Sequence, residues 1–133
     1  MAEALFRRLI KKGDGIEAAS AGVSAAHGFP ASSNAAAALK PLGISMAGFC
    51  SQPLTEALIE KSDFLFAMTQ SHLDIILTFF PDAANKTCLL TEFSGKADIP
   101  DPIGQDFNTY VKCRDQINAA LPSVLDFVKK TQP

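Results

Sequence analysis

Short apolar runs alternate with amphipathic stretches along this sequence, and that alternation predicts an α/β fold with a mainly parallel sheet. Asp63-Phe64-Leu65-Phe66-Ala67-Met68 is a compact apolar run of the kind that forms a strand buried on both faces. The stretches between such runs open on Ser, Thr or Asp and close on Gly or Pro, which are helix start and stop signals. The chain has 133 residues, enough for one domain over residues 1–133, and is 47% hydrophobic, enough for a real core. Ten Phe against one Tyr and no Trp suggest an interior both aromatic and apolar.

Residues 2–12 predict an amphipathic helix, with Leu5, Phe6, Leu9 and Ile10 on one face and Arg7, Arg8, Lys11 and Lys12 largely opposite. Gly13 and Gly15 should stop it. Ile16 to Ala21 reads as a short strand ending at Gly22, and residues 23–31 as a loop. Ser32 or Ser33 caps an Ala-rich helix through Leu39 or Lys40, closed by Pro41 and Gly43. Residues 44–53 look irregular. Thr55 caps a short helix through Lys61, the Phe-rich strand follows, and Thr69 or Ser71 caps a helix from His72 to Phe80, ended by Pro81. Lys86 to Leu90 is a further strand, and residues 91–104 are a long Gly-, Pro- and Asp-containing loop. From Gln105 or Asp106 to about Lys130 the pattern is helical, with Pro122 as a kink or break. The chain opens on a helix, whereas doubly wound domains often open on a buried central strand.

Twelve basic and fourteen acidic residues leave a net charge of -2, so there is no long-range field to attract nucleic acid or an anionic membrane. A small anion could still bind through backbone N–H groups at a helix start. Cys50, Cys88 and Cys113 are odd in number and widely spaced, with no metal-ligand spacing, so neither a metal nor a disulfide framework is expected and a reducing, cytoplasmic setting is. The charged opening helix is neither a signal peptide nor a membrane span.

Met1-Ala2-Glu3-Ala4-Leu5-Phe6-Arg7-Arg8-Leu9 resembles the helix that follows the catalytic loop of low-molecular-weight protein tyrosine phosphatases. Further blocks follow in that family's order: Ser20-Ala21-Gly22, then Gly43-Ile44 leading to Ser51-Gln52-Pro53-Leu54-Thr55, Ala67-Met68-Thr69, and Asp101-Pro102-Ile103-Gly104. Each block is weak alone; their order over the whole length carries the resemblance. The texture is closer to the bacterial branch, which includes protein arginine phosphatases. The resemblance implies a three-layer fold with a mainly parallel sheet. It also implies hydrolysis of protein phosphotyrosine or phosphoarginine through a phosphocysteine, with a phosphorylated protein as substrate and no cofactor.

In the family a loop Cys attacks phosphorus, a loop Arg grips the phosphoryl oxygens, and an Asp on the Asp-Pro loop donates a proton to the leaving group and then activates water. By motif Asp101 matches that general acid and base. Taken alone, Pro100-Asp101-Pro102 is also a plain turn signal. Asp98 lies close by but lacks the following Pro. Ser20 matches a Ser that supports the catalytic loop by hydrogen bonding; alone it reads as a small residue at a strand end. The phosphate-loop nucleophile and Arg have no match, because no Cys in these residues heads a Cys-x5-Arg pattern. Cys50 has no Arg at the needed offset, Cys88 reads as an inert core thiol, and Cys113 and Arg114 are helix neighbours on different faces. His27 and His72 read as surface or capping residues.

The resemblance also places the family's first, central strand ahead of Met1, so the expected sheet lacks it and the chain by itself is expected to be inactive. Losing roughly six to eight buried apolar residues at ~1.5–3 kcal/mol each would rival the net stability of a domain. A homo-oligomer or a rearranged sheet is therefore expected. Two other readings stand beside the hydrolase: a non-catalytic phosphatase-like interaction protein, and an arsenate reductase of the same fold. Against the second, Cys88 and Cys113 are far apart.

Overall fold

The structure is a computed structural model that describes residues 1–95 and 98–132; positions 96 and 97 of the predicted loop, and Pro133, lie outside them. In order, the elements are α1 (Ala2–Leu9), α2 (Ser33–Leu39), α3 (Glu56–Lys61), β1 (Leu65–Ala67), α4 (Gln70–Phe79), β2 (Thr87–Leu89) and α5 (Phe107–Thr131), with short 3-10 turns at Lys40–Leu42 and Pro81–Lys86.

Side chains that accept the orphan N–H groups of the first turn start four of the five helices. Ser32 accepts from Ala35 N–H, Thr55 from Leu58 N–H, Thr69 from His72 N–H and Asp106 from Thr109 N–H, at 3.2, 3.2, 3.1 and 2.9 Å. Of the paired alternatives in the sequence, Ser32, Thr69 and Asp106 are the caps. Gly43, at φ 74°, closes the turn after α2 in a backbone region open to glycine.

β1 and β2 are parallel, with Leu65 opposite Thr87, Phe66 opposite Cys88 and Ala67 opposite Leu89. Leu90 N–H continues the ladder to the Ala67 carbonyl at 2.8 Å, and Ile99 N–H bonds the Met68 carbonyl at 3.0 Å. α4 packs against both strands, and α5 is flanked by α1 and α2. The buried stripe of α5 runs through Tyr110, Cys113, Ile117, Leu121, Val124 and Val128. It meets Leu5 of α1 and Leu39 of α2, both with no exposed surface. Phe127 joins the sheet to this stripe, edge-on to Phe64 and Phe66 and stacked on Phe93 at 4.4 Å.

Several expectations are corrected. α1 ends at Leu9 rather than at residue 12, because Lys11 N–H is taken by the Asp14 carboxylate at 2.8 Å and Ile10 turns extended. The expected strand from Ile16 to Ala21 forms no ladder, since a strand needs a hydrogen-bonded neighbour; only its end is joined, where Gly22 bridges Pro53 in parallel. Pro122 does not break α5: it is exposed, so the N–H it lacks is missing on the solvent side, while Leu121 and Val124 stay buried. The interior is less aromatic than the composition suggests: Phe29, Phe79, Phe93 and Phe107 are exposed.

Candidate functional site

α1 is the helix without a side-chain cap, Met1 supplying none. Met1 packs against Ala35 and Ala38 of α2 and Tyr110 of α5, so this helix start sits over the first turns of α5.

Ser20 is brought to the same helix. Its hydroxyl donates to Glu3 Oε2 at 2.5 Å, and Glu3 Oε1 pairs with Arg7 at 2.8 Å. Arg7 in turn donates to the Ala18 carbonyl at 2.7 Å, so one carboxylate and one guanidinium tie residues 18–20 to α1. From the other side Gln52 Nε2 donates to the Ser20 carbonyl at 2.9 Å, and the Gln52 carbonyl accepts from Gly22 N–H at 3.0 Å. Ser20, Gly22, Phe49, Ser51 and Gln52 line a cavity of about 140 Å³. A larger hollow of about 520 Å³ lies at the other end of α1, lined by Arg7, Lys11, Lys12 and Glu17, and holds neither Ser20 nor Asp101.

Asp101 is exposed at the apex of the loop before α5. Its Oδ1 accepts from Ile103 N–H at 3.0 Å, which folds the side chain over its own turn. Asp98 is used differently: its Oδ2 accepts from Gln70 N–H at 3.1 Å and so assists the start of α4. The two acids of this loop are thereby told apart. No hydrogen bond joins Ser20 to Asp101; each reaches the α1–α5 seam separately, Ser20 through Glu3 and the Asp101 loop through Cys113.

The thiols differ in surroundings. Cys50 is exposed. Cys88 is half-buried, and burial pushes its thiol up to about 11, with Glu92 adding to the rise. Cys113 is buried, its thiol raised chiefly by burial, and it donates to the Pro100 carbonyl at 3.6 Å. His27 is exposed, and the His72 N–H is held by the Thr69 cap. Sequence reasoning did not single out Glu3, Gln52 or Cys113 as parts of this site. Only the Glu3–Arg7 spacing of four on one helix was a readable signal.

Among the described residues no helix is long and apolar enough to cross a membrane. The family model described as low molecular weight phosphotyrosine protein phosphatase matches residues 1–133. A protein-arginine-phosphatase of Geobacillus stearothermophilus is 37% identical, over 99% of this chain and 88% of its own length. One from Bacillus subtilis is 34% identical over 98% of this chain and 88% of its own. Among solved structures, the YwlE arginine phosphatase from Geobacillus stearothermophilus superposes with a TM-score of 0.89 at 34% identity, covering 98% of this chain and 84% of that one. By a match along its full length, in sequence and in fold, the chain belongs to the low molecular weight phosphotyrosine protein phosphatase family.

Proposed function

We propose that residues 1–133 are one phosphatase domain body whose reaction is the hydrolysis of phosphotyrosine or phosphoarginine on a protein substrate. Asp101 is its general acid and base, and Ser20 supports the phosphate loop. A thiolate attacks phosphorus and forms the S–P bond as the bond to the leaving oxygen or nitrogen breaks. Asp101 gives its proton to that leaving atom, then takes one from the water that cleaves the phosphocysteine. No cofactor enters this chemistry. The thiolate and the Arg that grips the phosphoryl group are not matched in these residues, so they must be supplied next to the start of α1. The reducing cytoplasm suits such a thiolate and the three free thiols.

The observation that carries this reading is the Asp101 loop held to the α1–α5 seam through Cys113, in a chain that matches the phosphatase family over residues 1–133. A carboxylic acid beside a bound phosphoryl group can protonate its leaving atom. The similarity to arginine phosphatases favours phosphoarginine as the first substrate to try. The test compares this chain with a version extended at Met1 by an apolar strand and a Cys-x5-Arg-Ser-Pro loop, on phosphotyrosine and phosphoarginine peptides. Turnover by the extended form alone is expected. A folded extended form with no turnover would overturn the hydrolase reading in favour of a non-catalytic interaction protein.

A further inference from the structure

We infer that Cys113 is a positioning residue for Asp101, acting by holding the carbonyl of Pro100. The inference deepens the proposed role of Asp101 and gains catalytic meaning only with it.

The loop before α5 is tethered at both ends. Asp98 is bound to α4 and Ile99 to Met68 just after β1, with the Ile99 side chain in the core at 3% exposure. On the far side Gln105 N–H donates to the Pro102 carbonyl at 2.9 Å, Asn34 Nδ2 reaches the Gln105 carbonyl at 3.5 Å, and Asp106 caps α5. Asp101 lies between these tethers with a proline on each side. Prolines fix their own φ and carry no N–H. The direction in which Asp101 leaves the loop is therefore set by the plane of the Pro100–Asp101 peptide, whose carbonyl is the natural handle.

Cys113 takes that handle. It lies on the inner face of α5 with 5% of its surface exposed, and its Sγ is 3.6 Å from the Pro100 oxygen. α5 is a firm base for the contact: Tyr110 and Ile117, one turn to either side, are buried at 6% and 2% exposure. Burial also keeps the sulfur protonated and hence a donor. A thiol donor is weak, so its value is directional: it selects one orientation of the Pro100–Asp101 peptide, for which no other hydrogen bond is found among the described residues.

Amide hydrogen exchange in the full chain tests this with two reporters, and uses no catalytic activity. Ile103 N–H is bound by the Asp101 carboxylate and reports where that group points. Ile99 N–H is bound to Met68 and reports whether the loop base or the core has opened. Cys113→Val fills the space without a donor; Cys113→Ser keeps the donor. The expected result is faster exchange at Ile103 by about two- to fivefold in the Val variant, the factor of a weak hydrogen bond, with Ile99 unchanged and the Ser variant restored. Unchanged Ile103 exchange in the Val variant, a Ser variant that behaves like Val, or Ile99 moving in step with Ile103 would each overturn it. Loss of the general-acid reading would show separately, as full turnover by an Asp101→Asn extended form.

Discussion

Asp98 and Asp101 sit on one loop and hold different partners, and substitutions should separate them. In a form that carries the catalytic loop, Asp101→Asn should lower kcat by about 10²–10⁴-fold, the usual worth of a positioned proton donor, while Asp98→Asn leaves kcat nearly unchanged. Steady-state kinetics on a phosphoarginine peptide read both. Ser20→Ala removes the hydroxyl that bonds Glu3 and should cost about 1 kcal/mol, measured by urea unfolding. Cys88 gives an alkaline signature. Its thiol is raised from 9.0 to about 11 in the folded chain, so the neutral form belongs to the fold. The stability it contributes is full below pH 9 and is lost as pH rises through about 11. The urea midpoint should fall across that interval, and Cys88→Ala should flatten the fall.

The helices were legible because their signals are local. A Ser, Thr or Asp that accepts an N–H three residues on marks its own helix start, and Ser32, Thr55, Thr69 and Asp106 all do so. The β1 run was legible because continuous apolarity means burial. The end of α1 was not, since it depends on Asp14 turning back to Lys11 N–H, a competition that periodicity does not register. Nor was the state of residues 16–21, because a strand is a property of two segments and the sequence displays one. Part of the site was hidden for the same reason: Asp101 and Ser20 stood out by motif, whereas Glu3, Gln52 and Cys113 acquire meaning only through contacts far along the chain. Pro122 gives the test at this scale. α5 runs through it unbroken, so Pro122→Ala restores an N–H to a helix already formed. The change should raise stability by about 1–3 kcal/mol, read as a higher urea midpoint with unchanged slope.

As a whole the molecule has a helical side that is well closed and a sheet that is small. β1 pairs only with β2 among the described residues, and residues 16–21 lie without a ladder. A two-stranded sheet is marginal by itself and a free edge accepts a further strand, which supports association of this chain with a second copy. Size-exclusion chromatography with light scattering should therefore give a mass above 14.2 kDa at micromolar concentration. A monomer at all concentrations would dismiss the idea. Acid should weaken the fold as well. Asp14, chiefly through Lys11 N–H, and Asp106, chiefly through Thr109, are held below the usual carboxylate value of 3.8. Their contribution is present above that value and lost as pH falls through the lower folded ones, so the thermal midpoint should drop on acidification below about pH 4.

Tyr110 is the only tyrosine in a chain with no tryptophan, and it is buried where the first turn of α5 meets Ala35 and Ala38 of α2. The protein therefore absorbs weakly in the near ultraviolet, and light it emits when excited beyond the phenylalanine band comes from a single seam. Its intrinsic fluorescence follows the parting of α2 from α5 and is blind to the sheet. A far-ultraviolet dichroism signal taken alongside it would show whether the helical side and the strands come apart together or in turn.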